Sequence, residues 1–141
     1  MNIEQLKRQH QDINQKLIGL ESFLGPDVAA KAFDISLKIG LLSGILTVHL
    51  KSEDTFLYPS LMASEQEGLK KTANRFVQEM GHLAQIFSVY KNKYMSANNI
   101  KKESQNFIID TQAIISALRT RLNNEDKELY PLLDRGKLTG V

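Results

Sequence analysis

An all-α fold is predicted for this chain of 141 residues: an antiparallel up-down-up-down four-helix bundle made of two pseudo-twofold-related helical hairpins. Three features predict it. Apolar residues recur in alternating steps of three and four, the helical period, and nowhere in the alternation of a strand. Breakers are gathered at a few points, which leave four long stretches, roughly 2–24, 27–62, 65–95 and 99–134. Helices of this length joined by short links pack antiparallel. Finally, a short motif occurs twice at an offset of 72 residues, so the two halves read as copies of one hairpin.

The first stretch carries the stripe Leu6, His10, Ile13, Leu17, Leu20 and Leu24. Gly25-Pro26-Asp27 then reads as a helix stop, a proline and the acidic N-cap of the next helix. The second stripe is Ala32, Ile35, Ile39, Leu42, Leu46, His49, Glu53 and Phe56. Within it Gly40 and Gly44 either admit a close neighbour or are tolerated weak points. Ser64-x-x-Glu67 has the form of a capping box for the third helix. That helix shows Leu69, Ala73, Phe76, Met80, Leu83, Phe87 and Tyr90, with His82 at the stripe's edge. Ser96-Ala97-Asn98-Asn99 reads as a polar connection. The fourth stripe is Phe107, Thr111, Ile114, Leu118, Arg121 and Glu125. Residues 1–135 are read as one domain and 136–141 as a short tail.

Composition removes several classes of function. Absence of cysteine excludes disulfides, zinc–thiolate and iron–sulfur sites, and a cysteine nucleophile. A net charge of +2 with balanced signs argues for neither nucleic acid nor membrane as a partner. The apolar run around Ile39 to Val48 is short for a membrane span, and the first ten residues are polar, so a cytoplasmic location is expected. There is no phosphate-binding glycine loop and no dinucleotide fingerprint. Lys91, Lys93, Lys101 and Lys102 form either a solvated surface or a docking patch for an acidic protein partner.

The repeat carries the chemistry. His49-Leu-Lys-Ser-Glu53-Asp54-Thr-Phe-Leu57-Tyr58-Pro59 returns as Arg121-Leu-Asn-Asn-Glu125-Asp126-Lys-Glu-Leu129-Tyr130-Pro131, and the same offset relates His10 to His82. His49 and Glu53 are four apart and share one helical face. An imidazole and a carboxylate so placed can hold one metal ion, or the carboxylate can bridge two. Iron, manganese or zinc suits this donor set. Charged groups on a core stripe are costly unless paired or ligated. A hydrogen-bonded core histidine is the ordinary reading of one such residue, but here all three histidines of the chain fall at repeat-related positions. A ferritin-like centre needs two E-x-x-H pairs, and Glu79-x-x-His82 is the single one present.

These residues resemble the hemerythrin-like (HHE cation-binding) family. Its pattern is a histidine on the first helix, H-x-x-x-E on the second, a histidine on the third and H-x-x-x-E on the fourth. This chain has His10, His49-x-x-x-Glu53, His82 and Arg121-x-x-x-Glu125, a likeness that runs over nearly its whole length. The resemblance implies iron as cofactor, as a non-haem di-iron centre with His10, His49 and His82 as terminal ligands and Glu53 and Glu125 as bridging or terminal carboxylates. It also implies binding of dioxygen or another small diatomic ligand, or sensing of oxygen, nitric oxide, iron or redox state. Peroxide- or oxygen-consuming activity is within reach of the same centre.

Arg121 departs from the pattern, because a guanidinium stays protonated and is not an ordinary metal ligand. Three outcomes stand open. A di-iron site survives one ligand short; a single iron is held by His10, His49, His82 and a carboxylate; or the metal is lost and a regulatory or interaction bundle keeps Arg121 salt-bridged to Glu53 or Glu125. Asp54 and Asp126 lie about 100° round the helix from the glutamates and suit outer roles. Tyr58 and Tyr130 are either pocket-lining donors or core rings. Pro59 and Pro131 are read as kinking or ending their helices.

Overall fold

The computed structural model describes residues 3–133, so the expected tail at 136–141 and the domain end at 135 lie outside the described residues. The described chain is helical, without strands. Its elements are α1 (Ile3–Glu21), α2 (Ala32–Ser52), a π-helical turn π1 (Glu53–Leu57) and α3 (Tyr58–Met62). After these come α4 (Glu67–Tyr94), the short α5 (Ala97–Lys102), α6 (Ser104–Asn124) and a second π turn, π2 (Glu125–Leu129). Helix α1 packs on α2 and α6, and α4 packs on the same two. The stripes read from the sequence are the buried faces, apart from the half-buried Leu24 and two residues described below.

The links differ from expectation. Asp27 does not cap the second helix. Residues 22–31 form a run of turns, and α2 starts at Ala32 after Lys31, which makes no side-chain cap. Burial of Val28 ties that run to the core. The capping box at 64–67 does not form either: Gln66 holds the N-cap position, and Ser64 Oγ accepts its backbone N–H at 3.1 Å. The polar connection after α4 is itself helical. Ser96 caps α5 by accepting the Asn99 N–H, and α5 buries Ile100. Nothing crowds the Cβ positions of Gly40 or Gly44 closer than ordinary contact, so neither marks a close helix approach.

The π turns are the main departure inside the helices. Each starts at a glutamate of the repeat, and each closes with the N–H of the following tyrosine on that glutamate's carbonyl, Tyr58 to Glu53 and Tyr130 to Glu125. The extra residue per turn shifts the buried face by one position. Phe56, expected inside, is 45% exposed, and Leu57 takes its place at 1%. Pro59 and Pro131 follow at once and do not end their helices, which run on to Met62 and to residue 133. A proline ring clashes with the carbonyl four residues back, and widening the preceding turn moves that carbonyl aside.

Apolar packing falls into two clusters. One holds Ile13, Leu17, Leu46, Met80, Leu118 and Leu122 among others, and the second holds Leu6, Leu57, Tyr58, Phe76, Leu129 and Tyr130. Along α1, α2 and α6 the residues between the clusters are His10, then His49 and Glu53, then Arg121 and Glu125, all buried. A polar layer thus divides the core. Helix α4 crosses the same level from Phe76 to Met80 without a buried polar residue. By length and composition the continuous run Ala32–Met62 could cross a membrane, contrary to the shorter stretch read from sequence. Its apolar character comes partly from exposed Phe33, Leu37, Leu41 and Val48, while its other face delivers His49 and Glu53 to the polar layer.

The π shift predicts an ordering that a continuous α-helix would reverse. Leu57→Ala is expected to cost about 2–5 kcal/mol, and Phe56→Ala less than about 1 kcal/mol, as measured by urea unfolding.

Candidate metal centre

His10, His49, Glu53 and Glu125 meet in the polar layer, with one ligand atom of each within 4.8 Å of the others. His10 Nε2 lies 2.7 Å from Glu125 Oε1 and 3.2 Å from His49 Nε2. His49 Nε2 lies 3.2 Å from Glu125 Oε1 and 3.4 Å from Glu53 Oε2. The π turns contribute here: each glutamate stands at the first residue of the widened turn, four positions after His49 or Arg121.

The far nitrogens of both rings are committed. His49 Nδ1 donates to the Gln9 side-chain carbonyl at 2.8 Å, and His10 Nδ1 donates to Asp126 Oδ1 at 2.9 Å. Both partners accept only, so each Nδ1 carries a hydrogen and each Nε2 faces the cluster, open to a metal once it carries no proton. Gln9 is itself oriented by donating to Ser52 Oγ at 3.2 Å. Holding the outer nitrogen on an oxygen acceptor is how metal-binding imidazoles are oriented. Glu53 Oε1 is buried without a hydrogen-bond partner. Two imidazole Nε2 atoms and two carboxylates facing one point, with one oxygen unpartnered, form a donor set that fits a cation.

Tyr130 completes this side. Its hydroxyl lies 2.8 Å from His10 Nε2 and 3.0 Å from Glu53 Oε2, to which it can donate. On the other side Arg121 Nε donates to Glu125 Oε2 at 2.9 Å, and its Nη2 donates to the Tyr58 hydroxyl at 2.8 Å. Both tyrosines therefore line the layer. Phe76 covers the guanidinium, its ring centre 4.6 Å from Cζ.

Charge in the layer is self-balancing. Burial alone would push His49 toward the neutral form, but hydrogen bonds to Glu125 and Glu53 outweigh it and raise its pKa to about 9. Burial raises Glu53 to about 7, with the neighbouring Glu125 charge adding to the rise and His49 opposing it. For Glu125 burial again acts upward, yet hydrogen bonds from His10 and His49 and the Arg121 charge hold it well below the usual carboxylate range. Burial, with the Glu125 and Glu53 charges, pushes Tyr130 far up, so its phenol keeps its proton.

His82 is a correction. It was expected as the third-helix ligand, and it lies exposed on α4, outside the cluster. The buried face of α4 passes through Met80 and Leu83, and His82 stands about 100° round the helix from Leu83. The offset of 72 relates α2 to α6 correctly because the π turns pin both. It does not transfer from α1 to α4, which bring different register positions to the polar layer: His10 on α1, but Phe76 and Met80 on α4. Gln9 and Phe76 are the neighbours that sequence reasoning missed. Gln9 carries no periodic signal, and Phe76 read as ordinary core.

The Hemerythrin HHE cation binding domain model matches residues 1–133. The chain belongs to the hemerythrin HHE family. Membership implies a metal cofactor, typically iron, and the His/Glu cluster supports a metal-binding protein of that kind. No curated protein and no solved structure matches the chain.

A raised histidine pKa stabilises the fold fully below the ordinary 6.5, and that contribution disappears as pH rises through about 9. Glu53, also raised, acts in the same direction through about 7. The lowered Glu125 acts oppositely, losing its contribution as pH falls below the ordinary 4.5. Without metal the protein is therefore expected to melt at falling temperature as pH rises, through about 7 for Glu53 and on from 6.5 to about 9 for His49. His49→Gln should flatten that decline in circular-dichroism melts.

Proposed function

We propose that this protein is a cytoplasmic non-haem iron protein that binds dioxygen or another small diatomic ligand, or senses oxygen, nitric oxide, iron or redox state. The observation that carries the reading is the convergence of His10 Nε2, His49 Nε2, Glu53 and Glu125 in a buried layer, with both outer ring nitrogens already held. The bundle is read as up-down-up-down, its two hairpins related by a pseudo-twofold axis. The matched π turns at an offset of 72 residues support this.

Iron held by His10, His49, Glu53 and Glu125 would supply a ferrous–ferric couple and affinity for a small ligand. The chain's own groups do the rest. Gln9 and Asp126 aim the imidazoles. The apolar clusters on either side of the layer keep bulk water away, which strengthens every electrostatic interaction within it. The Tyr130 hydroxyl keeps its proton and is the donor placed to meet a ligand entering the cluster. An open cleft of about 190 Å³, lined by Leu46, Met80 and Leu118 and also by Ser43, Thr47 and Lys91, lies along the same helices. Leu46 and Leu118 stand about one helical turn from His49 and Arg121.

One observation favours a metal-depleted regulatory bundle: Arg121 is ion-paired with Glu125 at 2.9 Å. The pair engages Oε2 and leaves Oε1 facing both imidazoles, so it does not satisfy the rest of the cluster.

Anaerobic loading with ferrous iron separates the two readings. The wild-type chain is expected to retain iron through gel filtration, and His10→Ala or Glu125→Gln to weaken binding by at least ~10-fold. A wild-type chain that retains no iron selects the metal-depleted bundle. Dioxygen or nitric oxide is then expected to change the visible spectrum of the ferrous protein. A loaded protein indifferent to both gases keeps the metal and loses the diatomic ligand.

A further inference from the structure

The two halves of the polar layer differ chemically, and Glu125 is the group they share. Its Oε1 faces His10 Nε2 and His49 Nε2, while its Oε2 accepts from Arg121. The tyrosines of the repeat divide in the same way. Tyr130 reaches across to His10 and Glu53, whereas its mate Tyr58 reaches across to Arg121. Arg121 therefore occupies, in the second half of the layer, the place that His49 holds in the first. No other imidazole stands beside it among the described residues: α4 presents the ring of Phe76 there, and His82 is exposed.

Two hydrogen bonds and a cation–π contact hold the guanidinium in place, an arrangement suited to its planar, permanently charged group. Glu53 and Glu125 are the acidic side chains buried among the described residues. With one divalent ion and one guanidinium they leave a small excess of positive charge. A second divalent ion would enlarge that excess at close range with no further buried anion to offset it, and it would find no free imidazole.

We infer that Arg121 is a built-in cation standing in place of a second metal ion, so that the chain holds a single ion on His10, His49, Glu53 and Glu125, with Glu125 bridging that ion to the guanidinium. This departs from the two-iron centre that the sequence pattern suggests, and it rests on the metal reading of the cluster. Glu125 keeps the bridging geometry, with one oxygen for each cation.

Counting ions tests it without any assay of activity. The metal-free full-length chain is titrated anaerobically with ferrous iron, freed of unbound metal and analysed for metal content; manganese(II) serves as a parallel electron paramagnetic resonance probe. Wild type is expected to hold about one ion per chain, with the manganese signal of an isolated ion. Arg121→His, alone and combined with Phe76→His, is expected to raise the count toward about two and to diminish the signal by coupling between neighbouring ions. A wild-type count of about two overturns the inference. So do variants that fold by circular dichroism yet stay at the wild-type count, because the guanidinium is then not what excludes the second ion. A wild-type chain that binds no ion overturns the metal reading itself, an outcome distinct from either. If neither variant folds, the wild-type count still decides.

Discussion

Two glutamate carboxylates carried into the middle of a helical bundle set the conditions for everything around them. A buried carboxylate is unfavourable unless cations or donors meet it, and the helices supply those at one level only. His10, His49, Arg121 and the two tyrosine hydroxyls come from α1, α2, α6 and the segments after the π turns. The apolar core is split in two because this layer needs the space between. In the metal-free chain a proton on His49 fills part of the role of a cation, which is why its pKa is raised despite burial.

The π turns show how local backbone geometry serves that layer. Proline immediately after a helical tyrosine is awkward in a regular α-helix, and the widened turn resolves the clash while rotating the following residues inward. Leu57, Tyr58, Leu129 and Tyr130 are buried as a result. Without the extra residue the tyrosines would leave the cluster, and the hydroxyl that faces His10 and Glu53 would be lost. The same device follows His49 and Arg121 alike, so the chemical difference between those two residues stands out.

Surface charge plays a smaller part. Arg119 pairs with Glu21 between α6 and α1, and Arg75 with Glu128 between α4 and π2. Exposed pairs of this kind contribute little to stability. Lys93 is paired with Glu103 across the link around α5, which takes one member out of the basic cluster read from the sequence.

The sequence by itself determined the helical class, the four stripes and the positions of His10, His49, Glu53, Arg121 and Glu125 on buried faces, because periodicity is a local property of the backbone. It also marked Arg121 as the position where the pattern breaks. Tertiary structure decided the rest. The π shift exchanged Phe56 for Leu57, since a helical stripe cannot announce one extra residue in a turn. Helix α4 brought Phe76 to the polar layer and left His82 outside, since the height at which one helix passes another depends on links and packing. Gln9 and Asp126 became the partners of the imidazoles, and Arg121 took one oxygen of Glu125 while leaving the other to the histidines. These are contacts between side chains far apart in the chain, and only the packed bundle specifies them.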